Sequence, residues 1–353
     1  MRIHHFFPRT KNIGDHFVQR GIEAMVRRIR PDASIELFDV NNRGLDRSEY
    51  GLTLQTIERA NAEADAIIVG GSNLYEGNYR WHWGIHLEPE ALEKLRVPLL
   101  LLGIGSGSAF RAPLHSPSEK ATNEIKLLNQ HAQLSGARDV ITLDWLHQLG
   151  IAKAQLSGDP ATFIFNAPLQ TRSAGRVLLV MPPRRFWRSI HQFWKVRRHG
   201  RTMFKALVSL ARSLMAAGEE VVVACNDPLD LPLARSLFSG MDIICPQTPE
   251  DYFDLVAKSS ALISGRLHTA VAALSLGVPF VLMNVDQRTE GFIKTYGLES
   301  WSITPASSSF EPALRELVTK LLSDRRATDW TEFIRLRDET NARASLAVGQ
   351  ALS

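Results

Sequence analysis

Short apolar runs alternate with helical patterns along almost the whole chain, and that alternation limits the fold more than any other feature. Such runs read as strands buried on both faces, and helical patterns between them call for parallel crossovers. In the first half the runs are Ile3–Phe7, Ile35–Phe38, Ala66–Val69, Leu99–Leu102 and Gln133–Gly136. In the second half they are Val177–Val180, Glu220–Ala224, Asp242–Ile244, Ala261–Ser264 and Phe280–Met283. Helical patterns such as Arg201–Ala217 and Pro249–Ser259 fall between them, the second with Thr248 as N-cap and Pro249 at its first position. The expectation is an α/β protein of two Rossmann-like domains whose parallel sheets face a central cleft. The polar Pro/Ser/Gly stretch Asn166–Arg176 marks the expected boundary. It divides the chain into domains over 1–168 and 175–325, with a helical tail over 326–353 packing back.

The chain has 353 residues, 44% of them hydrophobic and 22% charged, as in an ordinary soluble protein. No stretch approaches the roughly 20 apolar residues of a membrane span. The opening MRIHHFFPRT reads as a strand rather than a signal peptide. Cys225 and Cys245 are too few for a disulfide framework, so two buried thiols and a cytoplasmic protein are expected. The net charge of +4 suits anionic partners without choosing among them. Much of the basic charge lies in Arg184–Arg201, RRFWRSIHQFWKVRRHGR, which has no acid and interleaves aromatic residues. It reads as a solvated basic face, as an element touching anionic lipid at the inner membrane face, or, least of all, as a nucleic-acid contact, since no nucleic-acid module accompanies it.

The candidate chemistry sits where strands end, because open α/β sheets bind ligands at their carboxyl edge. The stretch ISGRLHTAVAALSLGVPF, residues 263–280, places Gly265, Arg266 and His268 at a strand-to-helix turn. Arg266 brings a fixed positive charge and His268 a titratable proton carrier. After the first strand, PRTKNIGD sets Asn12, Gly14 and Asp15 at a helix expected to start near His16, with Asp15 as a possible cap or ligand contact. The third strand ends in Gly70, Gly71, Ser72 and Asn73, followed by Tyr79, Trp81 and Trp83, whose rings suit the apolar face of a sugar. The fourth ends in GIGSGS, with Gly105, Ser106 and Gly107, too late in the chain for a dinucleotide fingerprint. Arg138-Asp139 and Asp159-Pro160 read first as structural pairs and turns. Arg184 and Arg185 follow the first strand of the second domain, where they either grip an anion or begin the solvated segment. His82 and His86 have helical i,i+4 spacing, but Gly84 lies between them and no third ligand is evident, so no metal is expected.

Taken in order, NIGD, GGSNLYEG, GIGSG, GARDVITLDWLHQLGI with SGDPATF, and SGRLHTAVAALSLGVPFVLMNVDQRTEGFIKTYGL resemble the motifs of the polysaccharide pyruvyl transferase family, from about Lys11 to Leu298. The chain departs from the pattern at Lys11 and Ser72, where glycine is usual, at His16, where an acid is usual, and at Arg288, where lysine is usual. The resemblance implies a fold like the GT-B glycosyltransferases, phosphoenolpyruvate as donor substrate with no further cofactor, and a glycan or lipid-linked oligosaccharide as acceptor. Their place at the strand end makes His268 and Arg266 the expected catalytic pair, with His268 as general acid or base. Arg184, Arg185, Gly265, Leu267 and Thr269 fall on the donor side, and the strand-end residues of the first domain on the acceptor side. Two other readings remain open at this point. One is a nucleotide-sugar-dependent glycosyltransferase, although Glu290 and Glu299 do not form the expected pair of acids. The other is a non-catalytic glycan- or membrane-binding assembly protein.

Overall fold

The computed structural model describes residues 1–9, 13–41, 49–75, 84–107, 118–165, 175–184, 194–305, 309–323 and 330–353, with side chains omitted over 194–199. Its strands form two six-stranded sheets in which every described pairing is parallel.

The first sheet is built from β1 (Arg2–Phe7), β2 (Ser34–Asp39), β3 (Ala66–Gly70), β4 (Leu99–Ile104), β5 (Leu134–Ala137) and β6 (Gln155–Leu156). Between them run α1 (Ile13–Ile29), α2 (Leu54–Glu63), the single turn α3 (Pro89–Leu92), α4 (Glu119–His131) and α5 (Val140–Gln148). The strand order is β2-β1-β3-β4-β5-β6, so the chain reverses direction across the sheet between β1 and β3.

The second sheet holds β7 (Arg176–Val180), β8 (Val221–Ala224), β9 (Asp242–Ile244), β10 (Ser259–Ser264), β11 (Phe280–Met283) and β12 (Ser302–Ile303). Its helices are α6 (Trp194–Ala216), α7 (Leu231–Leu237), α8 (Pro249–Ala257), α9 (Leu267–Leu276), α10 (Gln287–Tyr296), α11 (Phe310–Ser323) and α12 (Thr331–Ala351). The order β12-β11-β10-β7-β8-β9 is that of a doubly wound sheet, with its switch point between β7 and β10. The two α/β sheets give the fold class read from the sequence.

Local chemistry explains the elements. Strands β3, β4, β10 and β11 are buried at every position, the pattern of strands covered on both faces. Thr248 caps α8 by accepting from the Asp251 amide, with Pro249 at the first position. Helix α8 stops at Ala257 because Ser259 already belongs to β10. The helix expected over 201–217 begins at Trp194, and β5 begins one residue later than expected. The two-residue strands β6 and β12 are too short to leave a periodic signature. Helix α1 lies so close to the turn after β6 that a Cβ at Gly21 would stand 1.9 Å from the Pro160 carbonyl oxygen. Only glycine permits that approach.

Helix α12 spans the two sheets. Near its start Trp330 and Phe333 join the core of the second sheet, while Ala344, Val348 and Leu352 pack with Ile3, Val18 and Ile22 of the first. Arg337, buried, donates to the Leu274 carbonyl at the end of α9. The expected boundary over 166–176 lies outside the described residues except for Gly175 and Arg176. Of the two thiols expected to be buried, Cys225 is buried and Cys245 is only partly so.

His5, on β1, is fully buried, its ring set against the Gly70 backbone. Burial pushes its pKa down to about 3, from 6.5 in the open chain. The unfolded chain therefore binds a proton that the folded chain refuses in this window. Stability contributed by the neutral ring is complete above 6.5 and drains away as pH falls toward 3. The expected slope is at most about 1.4 kcal/mol per pH unit. Urea unfolding of wild type and His5→Phe between pH 7 and pH 4 should show the variant losing less stability; parallel curves would refute the assignment.

Candidate active site

The two switch points face each other. At the second sheet, β10 ends in Ser264, whose hydroxyl donates to the Arg266 carbonyl (2.7 Å) and accepts from the Arg266 amide (3.0 Å). That clasp turns the chain at Gly265, where a Cβ would press on Pro182 at 2.7 Å. Arg266 is the extended residue before α9, and His268 is the second residue of the helix. At the first sheet, Gly14 is the second residue of α1, and a Cβ there would stand 2.2 Å from His268 Nδ1. Glycine is thus required at position 14 so that α1 can carry its N-terminus against the imidazole.

A pocket of about 290 Å³ opens beside this contact, at the carboxyl edge of the second sheet. Arg184, Arg266 and Arg288 line it together with His268, Gly265 and Leu267. Arg266 donates through Nε to the Met181 carbonyl (3.2 Å) and pairs through Nη2 with the Asp230 carboxylate, which is 2% exposed. Asp230 also accepts from the Arg184 amide (3.2 Å). Burial pushes the Asp230 carboxyl up, and the Arg266 charge pulls it back toward ionisation. Arg288 pairs with Asp286, the buried N-cap of α10, through Nε (2.9 Å) and Nη2. Behind the histidine, buried Arg138 pairs with Asp139 (3.2 Å), and its guanidinium lies flat against Gly105, where a Cβ would stand 2.2 Å from Cζ.

His268 Nε2 is buried and has no hydrogen-bond partner among the described residues. Burial lowers the His268 pKa most, Arg138, Arg288 and Arg266 lower it further against the opposing Asp286, and the ring ends at about 3. The site therefore holds a neutral imidazole among cations, with one buried ring nitrogen that has no hydrogen-bond partner among the described residues.

The structure sorts the residues read from the sequence. Arg266, His268, Gly265, Leu267 and Arg184 meet at the pocket. Thr269 does not: its hydroxyl is buried with Asn226 (3.1 Å) and Tyr252 (2.9 Å). Ser106 is also turned inward, onto Thr142 at 3.1 Å. Gly70 and Gly71 serve packing, since Cβ atoms there would meet Ile22 and Val18 of α1 at 2.2 and 1.6 Å. Helix α1 starts at Ile13 rather than near His16, so Asp15 lies inside the first turn instead of capping it. Its carboxylate accepts from the Ser72 hydroxyl at 2.9 Å. Ser72 itself has φ 60°, which explains why glycine is the usual residue there. Asn73 donates to the Gly107 carbonyl (3.2 Å), and a Cβ on Gly107 would stand 3.2 Å from Arg288 Cγ, which brings the two loops to the pocket rim.

Asn12, Tyr79, Trp81, Trp83, Arg185 and His82 lie outside the described residues, as do 186–193 of the basic aromatic segment. Among the described residues no helix is long and apolar enough to cross a membrane. Sequence reasoning missed Asn226, Asp227, Asp230 and Asp286 on the pocket wall, and treated Arg138 as structural first. The signal for the first three was the polar NDPLD after the second strand of the half, a strand end like the others.

Residues 12–287 match the family model described as polysaccharide pyruvyl transferase. A comparison with curated proteins found no match. Among solved structures, UDP-GlcNAc 2-epimerase from Neisseria meningitidis, bound to UDP-GlcNAc, is similar at TM-score 0.58 and 13% identity, over 100% of this chain and 99% of that one. A glycosyltransferase from Rickettsia africae is similar at TM-score 0.58 and 10% identity, over 99% and 98%. The spinosyn rhamnosyltransferase SpnG, complexed with spinosyn aglycone, is similar at TM-score 0.51 and 14% identity, over 99% and 98%. At such identities the likeness is one of fold, the GT-B-like arrangement of two α/β sheets.

Proposed function

The chain belongs to the polysaccharide pyruvyl transferase family, and from that premise we propose that it moves the pyruvyl group of phosphoenolpyruvate onto two hydroxyls of a sugar, forming a pyruvate ketal. The observation that carries this reading is the unpartnered His268 Nε2 at a pocket lined by Arg184, Arg266 and Arg288. Phosphoenolpyruvate bears a carboxylate and a phosphate on one small frame. Planar guanidinium groups held by buried carboxylates suit both anions.

The chemistry follows from the neutral ring. His268 takes the proton of the first sugar hydroxyl as its oxygen bonds to C2, and delivers that proton to C3, which becomes the methyl group. The C2–O bond to phosphate then breaks, leaving an oxocarbenium ion. The second hydroxyl adds to C2, and its proton leaves with phosphate. One phosphoenolpyruvate and two hydroxyls thus give one ketal and one hydrogen phosphate. The bound anion offsets the surrounding arginines and so raises the His268 pKa from its ligand-free position, which lets the ring hold the proton between the two transfers. Asp15, one residue after Gly14, is the first-domain group proposed to orient an acceptor hydroxyl.

Thermal unfolding in the presence of phosphoenolpyruvate, or of UDP-, GDP- or CMP-sugars, tests the donor. A hundredfold excess over Kd adds about 2.7 kcal/mol to stability. Stabilisation by phosphoenolpyruvate alone, lost in Arg266→Lys, is the expected result. Stabilisation by a nucleotide sugar alone would replace this reading with a glycosyltransferase.

A further inference from the structure

On the first sheet, outside the residues that form the catalytic pocket, a histidine and two carboxylates converge. Strands β1 and β2 pair in parallel with His4 opposite Glu36, which puts both side chains on the sheet face beneath α2. Glu63 is the last residue of α2, and Arg59 lies one turn before it on the same helix face. His4 is fully buried, its ring tilted over Phe38 with centroids 4.6 Å apart. Neither ring nitrogen has a hydrogen-bond partner among the described residues. Nε2 faces Glu36 Oε2 across 3.6 Å, too far for a hydrogen bond. One ligand atom from each of His4, Glu36 and Glu63 lies within 4.8 Å of the other two.

We propose that His4, Glu36 and Glu63 bind a divalent transition-metal ion, zinc in the first place. Metal–ligand bonds of about 2.0–2.1 Å at the tetrahedral angle separate neighbouring ligand atoms by about 3.3 Å, so the His4–Glu36 gap is nearly the right size. Glu63 has a long side chain, 40% exposed, that can turn at its outer torsions to close the remaining distance while Arg59 stays beside it. One imidazole with two carboxylates suits zinc or manganese better than magnesium, which prefers an all-oxygen, octahedral shell.

Arg59 is the second half of the arrangement. It binds Glu36 Oε1 through Nη2 (2.6 Å), Glu63 Oε2 through Nε (3.2 Å), and Glu49 through Nη1. It therefore holds the carboxylates from outside, as an outer partner of metal ligands does, and leaves Glu36 Oε2 turned to His4. Among the described residues, Glu36, Glu49 and Glu63 outnumber Arg59 and Arg2, which leaves that set net negative before any ion enters. A metal on Nε2 also satisfies a buried nitrogen that is otherwise without a partner among the described residues.

The test uses the full chain, stripped with a chelator and dialysed, then titrated with zinc chloride and in parallel with magnesium chloride. Bound metal per chain is read by atomic emission after equilibrium dialysis, and thermal stability by intrinsic fluorescence. The wild type should take up one zinc per chain with a rise in Tm, and no magnesium. His4→Phe keeps the ring packed on Phe38 and removes the ligand nitrogen, so it should stay folded and lose that zinc. Glu63→Gln should weaken zinc binding by at least about 10-fold, the lower end of what a lost partner costs a metal site. Zinc uptake that persists undiminished in both variants is binding elsewhere and overturns the assignment. So does a wild type that takes up no zinc, or one that takes up magnesium equally well. None of these readouts depends on phosphoenolpyruvate or on turnover.

Discussion

His268→Ala should lower kcat for pyruvyl transfer by about 100-fold or more, the usual scale for a lost acid–base group. The measurement is phosphate release from phosphoenolpyruvate in the presence of a glycan acceptor, beside circular dichroism to show that the fold survives. The ring occupies the space between Gly14 and the pocket and makes no hydrogen bond through Nε2, so its removal leaves the core of α9 intact. On the proposed donor assignment, phosphoenolpyruvate should still stabilise the variant, because Arg184, Arg266 and Arg288 remain at the pocket. A turnover near that of wild type would remove His268 from the chemistry. A loss of donor binding equal to the loss of turnover would make the histidine a binding residue instead.

Arg266→Ala should cost about 3 kcal/mol of folding stability at pH 7, because it leaves the Asp230 carboxylate buried without its cation. Urea unfolding measures it. The double variant Arg266→Ala/Asp230→Asn should recover much of the loss, since the amide carries no charge to strand. The sign of the pH effect is set by the same group. Burial already raises the Asp230 carboxyl, and removing Arg266 raises it further, so the variant takes up a proton as pH falls and its deficit against wild type shrinks toward acid. A deficit that is constant from pH 7 to pH 4, or a double variant no better than the single, would mean that the pair is not an uncompensated buried charge when broken. Donor binding should be lost in both variants, as the guanidinium is gone from each.

Much of the candidate site was legible because local rules dictate it. The run before Gly265 had to be a buried strand, the residues after it a helix, and a strand's carboxyl end at a switch point is where an α/β sheet binds ligands. Arg266 and His268 therefore announced themselves by position as well as type. The glycines were harder to read. Gly14, Gly70, Gly71 and Gly105 each lie at or after the end of a strand and looked alike, yet Gly14 admits His268, Gly105 admits Arg138, and Gly70 and Gly71 admit α1. What distinguishes them is the atom on the far side, and that atom belongs to a residue distant in sequence. Thr269 and Ser106 misled for the same reason, since a hydroxyl near a strand end carries no mark of which way it turns.

The sequence by itself determined the alternation of strands and helices, the parallel sheets that follow from it, and the placing of Arg266 and His268 at a strand end. Periodicity and turn chemistry act within a few residues, so they can be read without partners. Only the tertiary structure decided that Asp230 and Asp286 anchor Arg266 and Arg288, that Arg138 lies behind His268, and that Gly14 brings the first sheet against the second at the imidazole. The His4, Glu36 and Glu63 cluster belongs to the same class, assembled by a strand register and a helix end. Charge pairing and desolvation depend on distances between residues far apart in the chain, and those distances exist only once the sheets have closed on each other.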